Sequence, residues 1–241
     1  MELTGTRTVS FRDLGHMAYG EAWDLQERVF GDTVQRKISN RTLEPSARQD
    51  TVDQLFLVEH PPVITLGKNA DSRNLLITAG EKQGVEVFHI NRGGDVTFHG
   101  PGQLVGYPIL DLDHYYTDIG RYLRDLEEVI IRTIGEYGLQ GDRLPGATGV
   151  WLEPDNPFRA RKICAMGIRC SRWVTMHGFA LNVNTDLRFF ELIVPCGITD
   201  KGVTSIEKEL RQTIPMEEVK GHFLRHFSDV FQCKISDGRT G

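Results

Sequence analysis

Arg92-Gly93-Gly94-Asp95-Val96-Thr97-Phe98-His99-Gly100-Pro101-Gly102-Gln103 is the stretch on which the fold reading turns. Four glycines and one proline surround an arginine, a threonine, a histidine and a glutamine. A strand-like run, Val85-Glu86-Val87-Phe88-His89-Ile90, leads in, and a second apolar run, Leu104-Val105-Gly106-Tyr107-Pro108-Ile109-Leu110, leads out. The stretch therefore reads as a loop held between two buried strands. It is longer than the two to five residues or so of a simple hairpin connection. Glycines at this density allow tight turns and let a ligand approach the main chain. Loops on a rigid scaffold are where binding and catalytic residues concentrate.

Outward from this loop the elements do not alternate strand by helix. Residues 18–38 carry Ala22, Leu25 and Val29 on one helical face. Residues 40–53 read as a polar loop, 54–58 as a buried strand stopped by Pro61-Pro62, and 63–66 as a short β-branched strand. After a polar loop at 68–76 comes the glycine-rich region. The longest helix is expected over 118–137, with Thr117 as N-cap and Gly138 as stop. A strand at 149–152 and a hairpin of 162–170 and 174–183, turning at Arg172-Trp173, precede a last helix from Pro215 with Val219, Phe223 and Phe227 on one face. Such an order predicts an α+β domain with a mixed or mostly antiparallel sheet flanked by helices, rather than a doubly wound parallel sheet.

The 241 residues suit one domain over 1–241, with 39% hydrophobic and 25% charged residues. A net charge of −5 argues against a nucleic-acid surface. No apolar run approaches the roughly 18 residues of a membrane span, and residues 1–7 lack a signal pattern. The four cysteines, at 164, 170, 196 and 233, form no Cys-x-x-Cys pair and are too sparse for a disulfide scaffold. Free thiols in a reducing cytoplasm are expected, with a monomer as the default state.

Three features carry chemistry. Cys196, in Ile193-Val194-Pro195-Cys196-Gly197-Ile198, sits on a constrained turn, whereas Cys164 and Cys170 fall in an apolar strand pattern and read as small buried hydrophobes. A reactive thiol needs a cation or base nearby. Lys162, opening an otherwise apolar strand, is the candidate; it is either an edge residue reaching solvent or a functional amine. Ala165, Gly167, Gly178 and Ala180 put small residues on two adjacent strands and leave a groove for an extended apolar chain. His177, by itself, reads as a satisfied core histidine, and His222 and His226, one helical turn apart, as surface residues without a third metal ligand.

Taken together, Arg92 to Gln103, Lys162-Ile163-x-Ala165-x-Gly167, His177-Gly178-Phe179-Ala180-Leu181-Asn182, Pro195-Cys196-Gly197-Ile198 and Gly202-Val203-Thr204-Ser205 closely resemble the lipoyl(octanoyl) transferases, octanoyl-[acyl-carrier-protein]:protein N-octanoyltransferases. The resemblance runs from about Gly20 to Phe231. It implies a single catalytic domain with the fold of the biotin and lipoate protein ligases. It implies transfer of an octanoyl group from octanoyl-acyl carrier protein to a lysine of apo lipoyl domains, namely E2 subunits of 2-oxoacid dehydrogenases and the glycine cleavage H protein. Cys196 corresponds to the acyl-accepting nucleophile and Lys162 to its partner. Arg92-Gly93-Gly94-Asp95-Val96-Thr97-Phe98-His99, Ala165-Met166-Gly167 and Gly178-Phe179-Ala180 correspond to substrate-binding stretches. No cofactor, metal or nucleotide is called for, because the thioester already carries the activation.

Rival readings are an ATP-dependent lipoate protein ligase, a lipoyl amidotransferase and a non-catalytic lipoyl-domain-binding module. The Pro-Cys-Gly cysteine and the His-Gly-Pro-Gly-Gln ending of the loop favour the transferase over the ligase. The presence of both Lys162 and Cys196 argues against the binding module.

Overall fold

Alternating burial along the central strands decides the architecture. The computed structural model describes residues 7–76, 84–194 and 201–238. In β2 (Asp53–Glu59), Leu55 and Leu57 face one way and Phe56 and Val58 the other, and both sets are buried. A sheet covered on both faces reads as such a continuous apolar run. β1 (Arg7–His16), β6 (Gln103–Ile109), β7 (Gly141–Leu144), β8 (Ala147–Leu152), β9 (Arg161–Ser171), β10 (Val174–Asn182) and β12 (Cys233–Asp237) complete the main path, in the order β12-β1-β2-β6-β10-β9-β8-β7. β1 runs parallel to β2 and β12; the remaining neighbours along this path are antiparallel. β11 (Gly202–Val203) adds a parallel pairing on β9. A small second sheet joins β4 (Glu86–His89), β3 (Val63–Leu66) and β5 (Val96–His99).

Helices cover the two faces of the large sheet. Helix α1 (Tyr19–Asn40) packs Ala22 and Phe30 against Phe56, Val105, Tyr107 and Ala180. On the other face α2 (Ile119–Gly135) and α4 (Met216–Phe231) bury Tyr122, Leu126, Val129, Phe223 and Phe227 against Leu55, Leu57, Leu104, Phe179 and Leu181. A short helix, α3 (Ile206–Leu210), is capped by Ser205. The α+β expectation, a mixed sheet flanked by helices, is what the chain forms. Among the described residues no helix is long and apolar enough to cross a membrane.

Several local expectations change. The glycine-rich stretch is not one loop, because Val96–His99 is itself a strand, paired antiparallel with β3. Asp118, not Thr117, caps α2, its carboxylate accepting from the Arg121 amide at 2.9 Å. The hairpin turn at Arg172-Trp173 is as read, and both residues take left-handed backbone, with φ of 50° and 66°. Cys164 is buried, whereas Cys170 is only half-buried. His226 binds Glu136 at 2.7 Å, tying the C-terminal end of α2 to α4.

Candidate active site

The small sheet closes over the α1 face of the large sheet, and a narrow pocket lies between them. Its walls come from Tyr19 of α1, Arg92, Gly94 to Thr97 and His99, Val105 and Tyr107 of β6, Lys162 and Ala165 to Gly167 of β9, and His177 to Ala180 of β10. A wider, more open cleft adjoins it, bordered by Asn69, Gly93, Gly146 to Thr148 and Ile168. Gly94, Asp95, Lys162, Met166 and Gly167 border both cavities, so the two meet beside Lys162.

Glycines make the closure possible. The Gly93 amide donates to the Ile168 carbonyl at 2.8 Å, laying the main chain of the glycine run directly on β9. A Cβ at Gly167 would stand 2.8 Å from the Gly93 oxygen, and one at Gly67 only 2.4 Å from the Gly94 oxygen. Both opposing atoms are backbone, which cannot swing aside as a side chain can.

Arg92 is buried beneath this crossing. Its guanidinium donates to the Thr65 carbonyl and Oγ1, both at 3.0 Å, and to the Gly93 carbonyl at 3.0 Å. Asp95 pins the loop: its carboxylate accepts from the amides of Asp71 and Val96 and from Asn74 Nδ2.

Three buried histidines have fixed proton positions. Gln103 Nε2 donates to the Phe98 carbonyl and to Asn182 Oδ1, so its Oε1 faces His99 Nδ1 at 2.8 Å as an acceptor. His99 therefore carries its proton on Nδ1 and turns the Nε2 lone pair toward Thr65. His60 donates from Nδ1 to the Met17 carbonyl and accepts from the Tyr107 hydroxyl. His177 Nε2 donates to Asn91 Oδ1 at 3.1 Å, since the Asn91 amide nitrogen is committed to Glu27. Burial lowers all three pKa values. His60 falls to about 4. His99 falls to about 3, with help from His60 and Arg92, and His177 to about 3, with help from Arg92 and Arg169. At neutral pH all three are neutral imidazoles.

His177 is more than a satisfied core residue. It lines the pocket with φ of 61° in mid-strand, and Gln26 of α1 accepts its amide hydrogen at 3.2 Å. A non-glycine residue held there costs about 1–3 kcal/mol, which the surrounding packing must offset.

Lys162 lies at the junction of the cavities. Its Nζ donates to the Thr148 carbonyl at 3.2 Å and stands 4.7 Å from the centre of the Trp151 ring. The Glu127 carboxylate, itself buried, receives the Gly149 amide at 2.8 Å and fixes the β8 main chain under the lysine stem.

Most residues expected to bind substrate converge here. Arg92, Gly94, Asp95, Val96, Thr97, His99, Ala165, Met166, Gly167, Gly178, Phe179 and Ala180 border the narrow pocket, and Gly93 the cleft. Phe98 borders neither: its ring stacks on Phe189 at 4.8 Å. The Phe179 ring turns to the opposite face of the sheet, against Phe223 at 4.7 Å. Cys196 lies outside the described residues. Tyr19, Val105 and Tyr107 were not expected at the site; their only signal was an apolar or aromatic residue in elements that read as core.

The pocket, the glycine crossing and the lysine at its mouth describe a catalytic domain of the lipoylation type, and the comparisons agree. Residues 18–228 match the lipoyl protein ligase A/B catalytic domain. The octanoyltransferase of Christiangramia forsetii is 54% identical over 232 residues, 95% of this chain and 98% of that protein. That of Cytophaga hutchinsonii is 49% identical, covering 98% of each. Among solved structures, a bi-partite lipoate protein ligase from Thermoplasma acidophilum superposes with a TM-score of 0.61 over 96% of this chain and 86% of that one, at 15% identity. A lipoate-protein ligase A bound with ATP gives 0.61 over 97% and 88%, also at 15% identity. These structural likenesses establish the fold. The chain belongs to the lipoyl protein ligase A/B catalytic family and, within it, to the octanoyltransferases.

Proposed function

We propose that residues 1–241 form one catalytic domain that moves an octanoyl group from octanoyl-acyl carrier protein to a lysine of apo lipoyl domains, those of E2 subunits and of the glycine cleavage H protein. Cys196 is the nucleophile and Lys162 its base. One observation carries the pairing. Val203, seven positions after Cys196, is paired with Lys162 through β11 and β9, and the Thr204 amide donates to the Lys162 carbonyl at 3.0 Å. The chain thus returns from the Cys196 segment alongside Lys162.

In the first step the Cys196 thiol gives its proton to Lys162, and the thiolate attacks the thioester carbonyl. The carbon–sulfur bond to the carrier's pantetheine breaks, the departing thiolate takes the proton, and a new thioester of similar energy remains on Cys196. In the second step the neutral amine of the acceptor lysine attacks that thioester. An amide forms, the Cys196 thiolate leaves, and Lys162 receives the amine proton. The narrow pocket holds the acyl chain, and the open cleft admits first the pantetheine arm and then the acceptor lysine. Arg92, the glycine run and the small residues of β9 and β10 bind the substrate.

Octanoyl transfer to an apo lipoyl domain from octanoyl-acyl carrier protein is expected without ATP, with Lys162→Ala reduced at least about a hundredfold, as for a lost general base. Transfer only from free octanoate with ATP would favour the ligase chemistry of the solved relatives instead. A pH–rate profile for acyl-enzyme formation left unchanged by Lys162→Ala would remove the base role.

A further inference from the structure

We infer that acyl-chain length is set by a wall of β6 and α1 residues at the far end of the narrow pocket, with Val105 as its centre, an inference that rests on the function proposed above. The register of the large sheet aligns one row of side chains across four strands. Val105 stands opposite Ala180, Ala180 opposite Ala165, and Ala165 opposite Gly149. Side-chain size falls along the row from valine through two alanines to glycine. A tapered trough results, running across the strands rather than along them.

The two ends of the trough differ. At the β9 end Lys162, Ala165 and Met166 are part-exposed and the pocket opens into the cleft. A Cβ built at Gly149 would lie 3.6 Å from Lys162 Cε, placing the lysine stem over that end of the row. At the β6 end Val105 is 1% exposed, Tyr107 3% and Tyr19 2%, and the Tyr107 hydroxyl is held by His60 at 2.7 Å. These side chains are fixed and closed to water. A chain entering beside Lys162 ends against them.

The dimensions agree with eight carbons. Two strand steps of ~4.8 Å separate Ala165 from Val105, about 10 Å in all. An extended chain gains about 1.2 Å per bond, so the seven carbon–carbon bonds of octanoyl span roughly 8–9 Å. The carbonyl carbon then lies beside the Lys162 end and the terminal methyl at Val105. Two further carbons would need the volume that the valine methyl groups occupy.

The test is competition. Wild-type and variant chains receive equal hexanoyl-, octanoyl-, decanoyl- and dodecanoyl-acyl carrier protein, and the products on one apo lipoyl domain are measured by mass. Wild type favours octanoyl. Val105→Ala is expected to raise the decanoyl-to-octanoyl ratio roughly tenfold, the worth of two buried methylenes. Ala180→Val is expected to move preference toward hexanoyl. Should Val105→Ala fail to fold, Ala165→Val at the part-exposed end must shift preference to chains shorter still. Product ratios unchanged in the folded variants, with wild type active, overturn the inference alone. A wild-type chain that transfers no acyl group of any length overturns the functional reading and this inference with it.

Discussion

Gln103 illustrates what single residues do here that composition does not reveal. It is 1% exposed and sits between His99, the Phe98 carbonyl and Asn182, whose own Nδ2 donates to the Thr204 carbonyl at 3.0 Å. Replacing it with leucine removes the acceptor for His99 Nδ1–H and leaves a buried donor unmatched, at a cost of about 1–3 kcal/mol. We expect Gln103→Leu to lower the melting temperature and to move the His99 proton from Nδ1 toward Nε2, read from its ¹⁵N shifts; an unchanged tautomer would show that Gln103 does not set it. His99 was legible in the sequence as a candidate, but its proton position depends on Asn182, which is distant in the chain and adjacent only in the folded sheet. Asp95 was legible as a pocket residue, yet its carboxylate is spent on Asp71, Asn74 and Val96. Val105 hid for the opposite reason, since a valine in a buried strand reads as core and nothing else.

At the scale of elements, the strongly periodic pieces could be read and the short ones could not. The helices near 18–38 and 118–137 and the β9–β10 hairpin emerge where their periodicity puts them. β5 has only four residues, between Asp95 and Gly100, and owes its existence to pairing with β3, about thirty positions earlier. β1, β7 and β12 are edge-side strands with charged residues on the solvent face, so their alternation is diluted. Two predictions belong here. Trp173→Gly relieves a left-handed φ of 66° in the hairpin turn and should stabilise by about 1 kcal/mol, seen as a raised melting temperature; a fall would mean that the part-exposed indole contributes more than the strain. Gly167→Ala forces a Cβ to within 2.8 Å of the Gly93 carbonyl, so the glycine crossing must lift from β9. Acyl transfer should drop at least tenfold with the fold retained by circular dichroism; normal activity would contradict the crossing as a rigid part of the site.

For the molecule as a whole, the buried titratable groups set the response to acid. His60, His99 and His177 have folded pKa values of about 4, 3 and 3 against an ordinary 6.5, so the unfolded chain binds protons that the folded one refuses. Their contribution is present above about pH 6.5 and is lost as pH falls toward 3. Asp53 acts in the other direction. Burial lifts its pKa from 3.8 to about 6, so its contribution is present below 3.8 and is lost as pH rises through about 6. Three groups outweigh one, and the urea midpoint should be lower at pH 5.0 than at pH 7.5; an equal or higher midpoint at pH 5.0 would mean that the histidines are charged in the fold. The mixed sheet could be anticipated from the element order, whereas the second sheet, closing the pocket from above, depends on pairings between β3, β4 and β5 that no local pattern specifies.

The proposed covalent intermediate is tested most directly by intact-protein mass spectrometry after mixing the chain with octanoyl-acyl carrier protein in the absence of ATP. One added octanoyl group is expected, removed by hydroxylamine, absent in Cys196→Ser, and discharged onto the lysine of an apo lipoyl domain when that is added. Transfer to the lipoyl domain by Cys196→Ser at the wild-type rate, with no acyl-enzyme in either protein, would contradict it.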